Sequence, residues 1–254
     1  MKQPLLYCLA LLPCMTTLAQ TGSPKPVITT DWKDSSPPPS GTPQWNFLAD
    51  PDWKAATQAY GVEWGAMNGI KGSLFYDDEW VNGSILLTDH RQAANIPLRF
   101  NVYSNEIYFM RDSQVLAIDG SVPVREFVLY DHRDDIGGPS IFRCGYPDTK
   151  TGNQKTFYQV LADGSYSLLI QYTKKIIDKN NPIEGPQRVV SDEEIWYVLS
   201  AADHKMVEIH RNKSSLLSAL PAASDKINTI IANDKLKLKQ KSDWVTLFKA
   251  LNKS

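Results

Sequence analysis

Residues 96–130, IPLRFNVYSNEIYFMRDSQVLAIDGSVPVREFVLY, decide the fold class. Ile96, Leu98, Phe100 and Val102 share one parity and Pro97, Arg99, Asn101 and Tyr103 the other, the period of two that a half-buried strand requires. One face is expected in the core and the other in water. Ser104-Asn105 suits a tight turn, after which residues 107–110 resume in β-favouring side chains. Arg111-Asp112-Ser113 marks a second turn before residues 115–118. Asp119-Gly120, the strongest short hairpin signal in the chain, marks a third before residues 124–130. Loops this short join antiparallel neighbours, because a parallel crossover takes about a dozen residues or more. The expectation is a meander of four consecutive strands in a mainly β protein, an antiparallel sheet curled into a sandwich, half-barrel or open barrel.

The chain around this segment is long enough for one sizeable core, with 254 residues, 42% of them hydrophobic and 22% charged. A formal net charge of −1 gives no global field to attract nucleic acid, which is excluded as an expected partner. Lys2, an apolar run over residues 5–13 and the small-residue site Thr17-Leu18-Ala19 predict a secretory signal peptide over residues 1–19. That run is too short to span a bilayer, so the expectation is an exported protein, periplasmic, at the cell surface or secreted, and not transmembrane after cleavage. Cys14 follows Leu11-Leu12-Pro13, a distant likeness to a lipoprotein box, but Pro13 stands where such boxes want a small residue. Cleavage after Ala19 would remove Cys8 and Cys14 and leave Cys144 as the only thiol. Such a chain has no intrachain disulfide and relies on its hydrophobic core.

Residues 20–65 read as an arm rich in Pro and Trp, with Asp50-Pro51 opening one short helix in which Trp53, Ala56 and Tyr60 fall at helical spacing before Gly61. Trp32, Trp45, Trp53 and Trp64 offer a stacking surface for sugar rings or a partner strand. The plainer reading, which we adopt, is that these rings fold back to cover the sheet. Residues 66–211 form the expected antiparallel β domain, with a strand over residues 84–87. Asp77, Asp78 and Glu79 are a carboxylate run with oxygen donors for a hard cation such as calcium, but they lack EF-hand spacing and read as a solvated turn. A short strand over residues 142–146 is expected to hold Cys144. Asp163-Gly164 and Ala202-Asp203 mark two further hairpins, over residues 157–173 and 195–210.

The last stretch, residues 212–254, changes to helical period and is expected to dock on the sheet. Ile227, Ile230 and Ile231 define one helix, and Trp244, Val245, Phe248 and Leu251 another, with Ser242 as its candidate N-cap. Between them Lys235, Lys237, Lys239 and Lys241 alternate with Leu236, Leu238 and Gln240. This is either a basic comb for an anionic surface or the solvated face of a short extended segment, and the second is the simpler account.

The segments KGSLFYDDEW (residues 71–80), IPLRFNVYSNEIYF (96–109), FYQVLADGSYSLL (157–169), NKSSLLSAL (212–220) and NDKLKLKQKSDWVTLFKALN (233–252) resemble a family of exported, uncharacterised β-rich proteins of Gram-negative bacteria. The resemblance runs through turn and strand positions and implies fold and export. It carries over no activity and no catalytic or binding residue.

Chemistry has few handles. Cys144 as nucleophile with His132 as base is the best catalytic pair, but neither lies in a recognised motif, and a lone Cys between Phe142 and Tyr146 reads as a small buried hydrophobe. There is no G-x-S-x-G elbow, no phosphate-cradling loop and no dinucleotide fingerprint, and no cofactor is expected. The expected function is an exported cell-envelope binding or interaction module without catalytic activity, whose partner is an envelope protein, glycan or lipid. The alternatives are a carrier of an apolar ligand in the curved sheet and an unrecognised envelope hydrolase.

Overall fold

The computed structural model describes Thr57–Gln58 and residues 69–111, 113–130, 136–182 and 185–253. Its strands are β1 (Thr57–Gln58), β2 (Ile70–Lys71), β3 (Val81–Leu87), β4 (Gln92–Asn101), β5 (Glu106–Arg111), β6 (Gln114–Ile118), β7 (Val124–Leu129), β8 (Ser140–Arg143), β9 (Tyr158–Ala162), β10 (Tyr166–Asn181), β11 (Gly185–Ser200) and β12 (Lys205–Ile209). Three helices follow, α1 (Lys213–Ala219), α2 (Ser224–Asn233) and α3 (Lys241–Leu251). The fold is mainly β, as the alternation requires, and the strands form one open, mostly antiparallel sheet of order β1-β6-β5-β4-β3-β7-β8-β9-β10-β11-β12, with β2 parallel to β11.

Ile96, Leu98, Phe100 and Val102 are all buried in one cluster, as their shared parity demands. The opposite parity is not simply wet. Arg99 is only 8% exposed, because its guanidinium lies 3.9 Å from the centroid of the Phe75 ring and its Nη2 lies 3.5 Å from Asp78. The segment around Phe75 runs beside the end of β4 in an antiparallel bridge with Asn101, Tyr76 N–H donating to Phe100 O and Val102 N–H to Leu74 O.

The turn at Asp119-Gly120 does not make a hairpin. β4, β5 and β6 are consecutive neighbours, but β7 pairs with β3 and β8, four places from β6. At a strand spacing of about 4.8 Å this is about 19 Å across a flat sheet, near the full reach of the residues between them. Residues 119–123 bridge it because the sheet curls. Val122 lies buried, its N–H donating to Asp119 O, and Thr88 N–H donates to Pro123 O, tying the link to the end of β3. The Asp-Gly signal fixes where the chain turns; the curl fixes which strand receives it.

Inside the curl the rings of Phe100, Phe127, Phe142, Phe157, Tyr76 and Tyr172 pack against one another, Phe127 and Phe142 stacked with centroids 4.8 Å apart. Gly83 is where two backbones approach most closely, since a Cβ there would lie 2.3 Å from Val128 O and 2.6 Å from Leu98 Cδ1. The register between β3 and β4 shifts just after it.

The second half of the sheet is covered on both faces. Leu168, Ile170, Trp196 and Val198 pack beneath the helices on Ile227, Trp244, Leu247, Phe248 and Leu251. On the other face Tyr146, Tyr158 and Tyr197 meet edge to face beside Leu169 and Leu199. The C-terminal helices therefore dock on the sheet as their periodicity predicts. The last begins one residue before Ser242, at Lys241, and the Asp243 carboxylate in its first turn accepts the Lys239 N–H at 3.2 Å.

Two further expectations are corrected. Thr57 and Gln58, inside the segment expected to be helical, are extended and pair with Ile118 and Ala117; the rest of that segment lies outside the described residues. A sheet edge supplied by β6 overrides a weak helical period of only three residues. Cys144 is not within a strand, because β8 ends at Arg143.

Candidate binding surface at an open strand edge

β10 and β11 are longer than the sequence suggests. Their register runs unbroken from Tyr166↔Ser200 to Asn181↔Gly185, while β9 accompanies β10 only as far as Ile170. Beyond that point the pair continues as a two-stranded ribbon. It is held by the cross-strand pairs Ile176↔Val190 and Ile177↔Val189 and by the Lys174–Asp192 ion pair at 2.9 Å. Ile177 is 44% exposed, one of the two large apolar side chains most open to solvent among the described residues.

A polar relay anchors the base of the ribbon. Lys241 Nζ donates to Tyr172 Oη at 2.8 Å and lies 3.1 Å from Glu194, Tyr172 donates to Gln159 Oε1 at 2.7 Å, and Gln159 Nε2 donates to Ser140 Oγ at 3.3 Å. A half-buried lysine from the last helix is thus tied to both ribbon strands. The ribbon leaves the body from a fixed root rather than a hinge.

On the outer side of β11, β12 pairs from Trp196 to Ser200 and β2 pairs at Arg188 and Val189. Between them, residues 190–195 have no strand neighbour on that edge among the described residues. In an antiparallel strand every second residue turns its N–H and C=O to the side away from its partner, so among the described residues no strand ladder meets the outward backbone groups of this gap, and Gly72 packs against its Val190 end. A groove of about 390 Å³ runs along it, lined by Glu193, Glu194, Ile195 and Trp196 on β11 and by Glu208, Ile209, His210 and Arg211 across from them. Its lining combines Ile195, Trp196 and Ile209 with three carboxylates, of which Glu193 faces Lys175 and Glu194 faces Lys241. Trp196 Nε1 donates to Glu194 Oε2 at 3.3 Å, and Arg211 lies over the Trp196 ring at 4.8 Å.

The residues singled out from sequence do not gather here. Trp32, Trp45, Trp53, Trp64 and His132 lie outside the described residues. Asp77, Asp78 and Glu79 surround a turn beside Arg99: Asp77 Oδ1 accepts the Glu79 N–H, while Asp78 accepts from Ser73 Oγ and faces Arg99. Among the described residues no group of three or more His, Cys, Asp or Glu side chains converges as a metal ion would require.

Cys144 Sγ donates to Val124 O at 3.0 Å, and burial pushes the thiol up to about 11. A thiol so held is protonated at neutral pH and a poor nucleophile. Beside it Arg143 binds Glu126 and Asp163, each at 2.6 Å, and Ser167 Oγ donates to Asp163 Oδ1. Burial pushes the Glu126 carboxyl upward, more than the attraction and hydrogen bond of Arg143 lower it. Burial likewise raises the Tyr146 hydroxyl. Glu126 is 1% exposed, and its charge is balanced within the cluster by Arg143.

The open edge was missed in the sequence because residues 174–194 carry charges on both strands and no clean alternation. The run Asn180-Asn181-Pro182-Ile183-Glu184-Gly185-Pro186, flanked by Ile176-Ile177 and Val189-Val190, is the turn signal that locates the ribbon. Comparison with known protein families, with characterised proteins and with solved structures found no match.

Proposed function

We propose that this chain is an exported, non-catalytic interaction module of the cell envelope that takes up an extended segment of a partner protein at the open edge of β11. The observation that carries this reading is the gap at residues 190–195, a strand edge without a strand neighbour among the described residues, beside a groove whose lining mixes Ile195, Trp196 and Ile209 with acidic side chains, at the rooted end of a ribbon. Strand addition uses these parts: backbone hydrogen bonds supply affinity, and the groove beside the edge supplies specificity. The acidic side chains of the groove, with Glu193 and Glu208, favour a segment carrying Lys or Arg. Export rests on Lys2, the apolar run and the Thr17-Leu18-Ala19 site.

A carrier role is less well supported, since the curl where an apolar ligand would sit is filled by the rings of Phe100, Phe127 and Phe142. A thiol hydrolase is disfavoured by the raised Cys144 thiol. The test is a photo-crosslinking residue at Glu193, on the open edge, compared with one at the exposed Asp225 of α2, in cells making the full chain. A discrete protein adduct from Glu193 and not from Asp225 is expected. Equal adducts from both, or none from Glu193, would overturn the reading.

A further inference from the structure

Next to the acidic groove lies a cleft of opposite charge. It measures about 500 Å³ and is lined by Arg211, Asn212, Lys213, Lys237, Leu238 and Lys239, four cations with no carboxylate among the lining residues. Its two walls are built separately. After β12 the chain turns sharply, His210 N–H donating to Ser215 Oγ and Asn212 capping α1 through the Ser215 N–H at 2.8 Å, which places Arg211, Asn212 and Lys213 side by side. The facing wall is the loop before α3. There Leu238 is buried and its carbonyl accepts Trp244 Nε1 at 3.0 Å, so its neighbours Lys237 and Lys239 emerge at the surface. Arg211 Nη2 closes the two walls by donating to Lys239 O at 2.8 Å.

Two features call for a ligand. Leu238 has a φ of 56°, a left-handed conformation that a bulky side chain rarely adopts, and it is this residue that holds the two lysines on the cleft. Among the described residues no carboxylate lies within ion-pairing distance of Lys213, Lys237 or Lys239, and the Asp243 carboxylate accepts the Lys239 backbone N–H. Arg211, Lys213, Lys237 and Lys239 are all exposed, whereas the half-buried Lys174 and Lys241 are paired with Asp192 and Glu194. Like charges brought together without counterions repel one another and are relieved by an anion.

We infer that this cleft binds a multiply charged phosphate group, either free or carried on a lipid headgroup. The Arg211 fork, one nitrogen already fixed by Lys239 O, supplies directed donors, and the lysines supply mobile charge around them. Arg211 lines both this cleft and the groove beside β11, whereas Lys213, Lys237 and Lys239 line the cleft alone, so variants at the lysines test it apart from strand uptake.

Pyrophosphate is titrated into the full chain at low ionic strength by calorimetry, and the chain is co-sedimented with vesicles of phosphatidylcholine alone or with phosphatidic acid, whose headgroup is a multiply charged phosphate monoester, added. The variants are Lys237→Ala/Lys239→Ala, the single change Lys213→Ala, and Lys179→Ala/Lys205→Ala as a control of equal charge on the ribbon and β12. Saturable binding that weakens about tenfold in the first double variant, less in Lys213→Ala and not in the control supports the site. Binding to pyrophosphate alone identifies a free phosphate ligand, and binding to the anionic vesicles alone a headgroup. No binding to either probe, or binding weakened equally by the control, overturns it.

Discussion

The side chain of Asn252 pairs with the backbone of Tyr166 as a neighbouring strand would: Oδ1 accepts the Tyr166 N–H at 3.0 Å and Nδ2 donates to the Tyr166 carbonyl at 2.9 Å. The same Nδ2 lies 3.2 Å from Asp163 O, so one amide from the C-cap of α3 clamps the turn between β9 and β10. Gly164 is required beneath it, since a Cβ there would lie 2.6 Å from the Asn252 side chain. Replacing Asn252 with Ala leaves these part-buried backbone groups unpartnered and is expected to lower stability by about 2 kcal/mol. The melting temperature should fall by about 4–8 °C. An unchanged melt would show that helix docking does not depend on this clamp.

Trp244 is fully buried against Trp196, with ring centroids 5.6 Å apart, and its Nε1 holds Leu238 O. Trp244→Ala is expected to cost about 3–5 kcal/mol in urea unfolding, by loss of burial and creation of a cavity. Trp244→Phe keeps most of that packing and loses the hydrogen bond, for about 1–2 kcal/mol. Equal losses in the two variants would count against the hydrogen bond as a separate contribution.

Glu126 binds its proton more tightly when folded than when unfolded, because burial raises its carboxyl. A group of this sign contributes stability at low pH that is lost as pH rises from the ordinary carboxylate range, about 4, through the raised folded value. Glu126→Gln should flatten that part of the stability–pH curve measured by denaturant midpoints. Arg143→Ala should act in the opposite sense and far more strongly, by about 3–5 kcal/mol at neutral pH, because it strands Glu126 and Asp163 without their shared cation. A neutral Arg143→Ala would show that the two carboxylates are not held by it.

The Cys144 thiol should react slowly. Raised from 9.0 to about 11, it holds about a hundredfold less thiolate at neutral pH than an ordinary cysteine. Iodoacetamide labelling of the native protein should be slower than in denaturant by at least about that factor, and Cys144→Ala should leave the fold intact. Labelling at the rate of a free thiol would show an open environment around the sulfur.

Sequence alone determined what depends on neighbours along the chain. The parity of Ile96, Leu98 and Phe100 fixed a strand with one buried face, Asp163-Gly164 fixed a hairpin, and the spacing of Trp244, Phe248 and Leu251 fixed a docking helix. What depends on distant groups meeting was decided by tertiary structure. The curl of the sheet sent β7 to β3 despite a hairpin signal at Asp119-Gly120, and Phe75 covered Arg99 on a face that alternation alone assigns to water. Among the described residues, the open edge at 190–195 lies where β12 stops at Ile209, opposite Trp196, and β2 stops at Lys71, opposite Val189. Local pattern records how each residue prefers to lie, whereas edges, grooves and clusters of charge are properties of which surfaces the folded chain leaves without a neighbour.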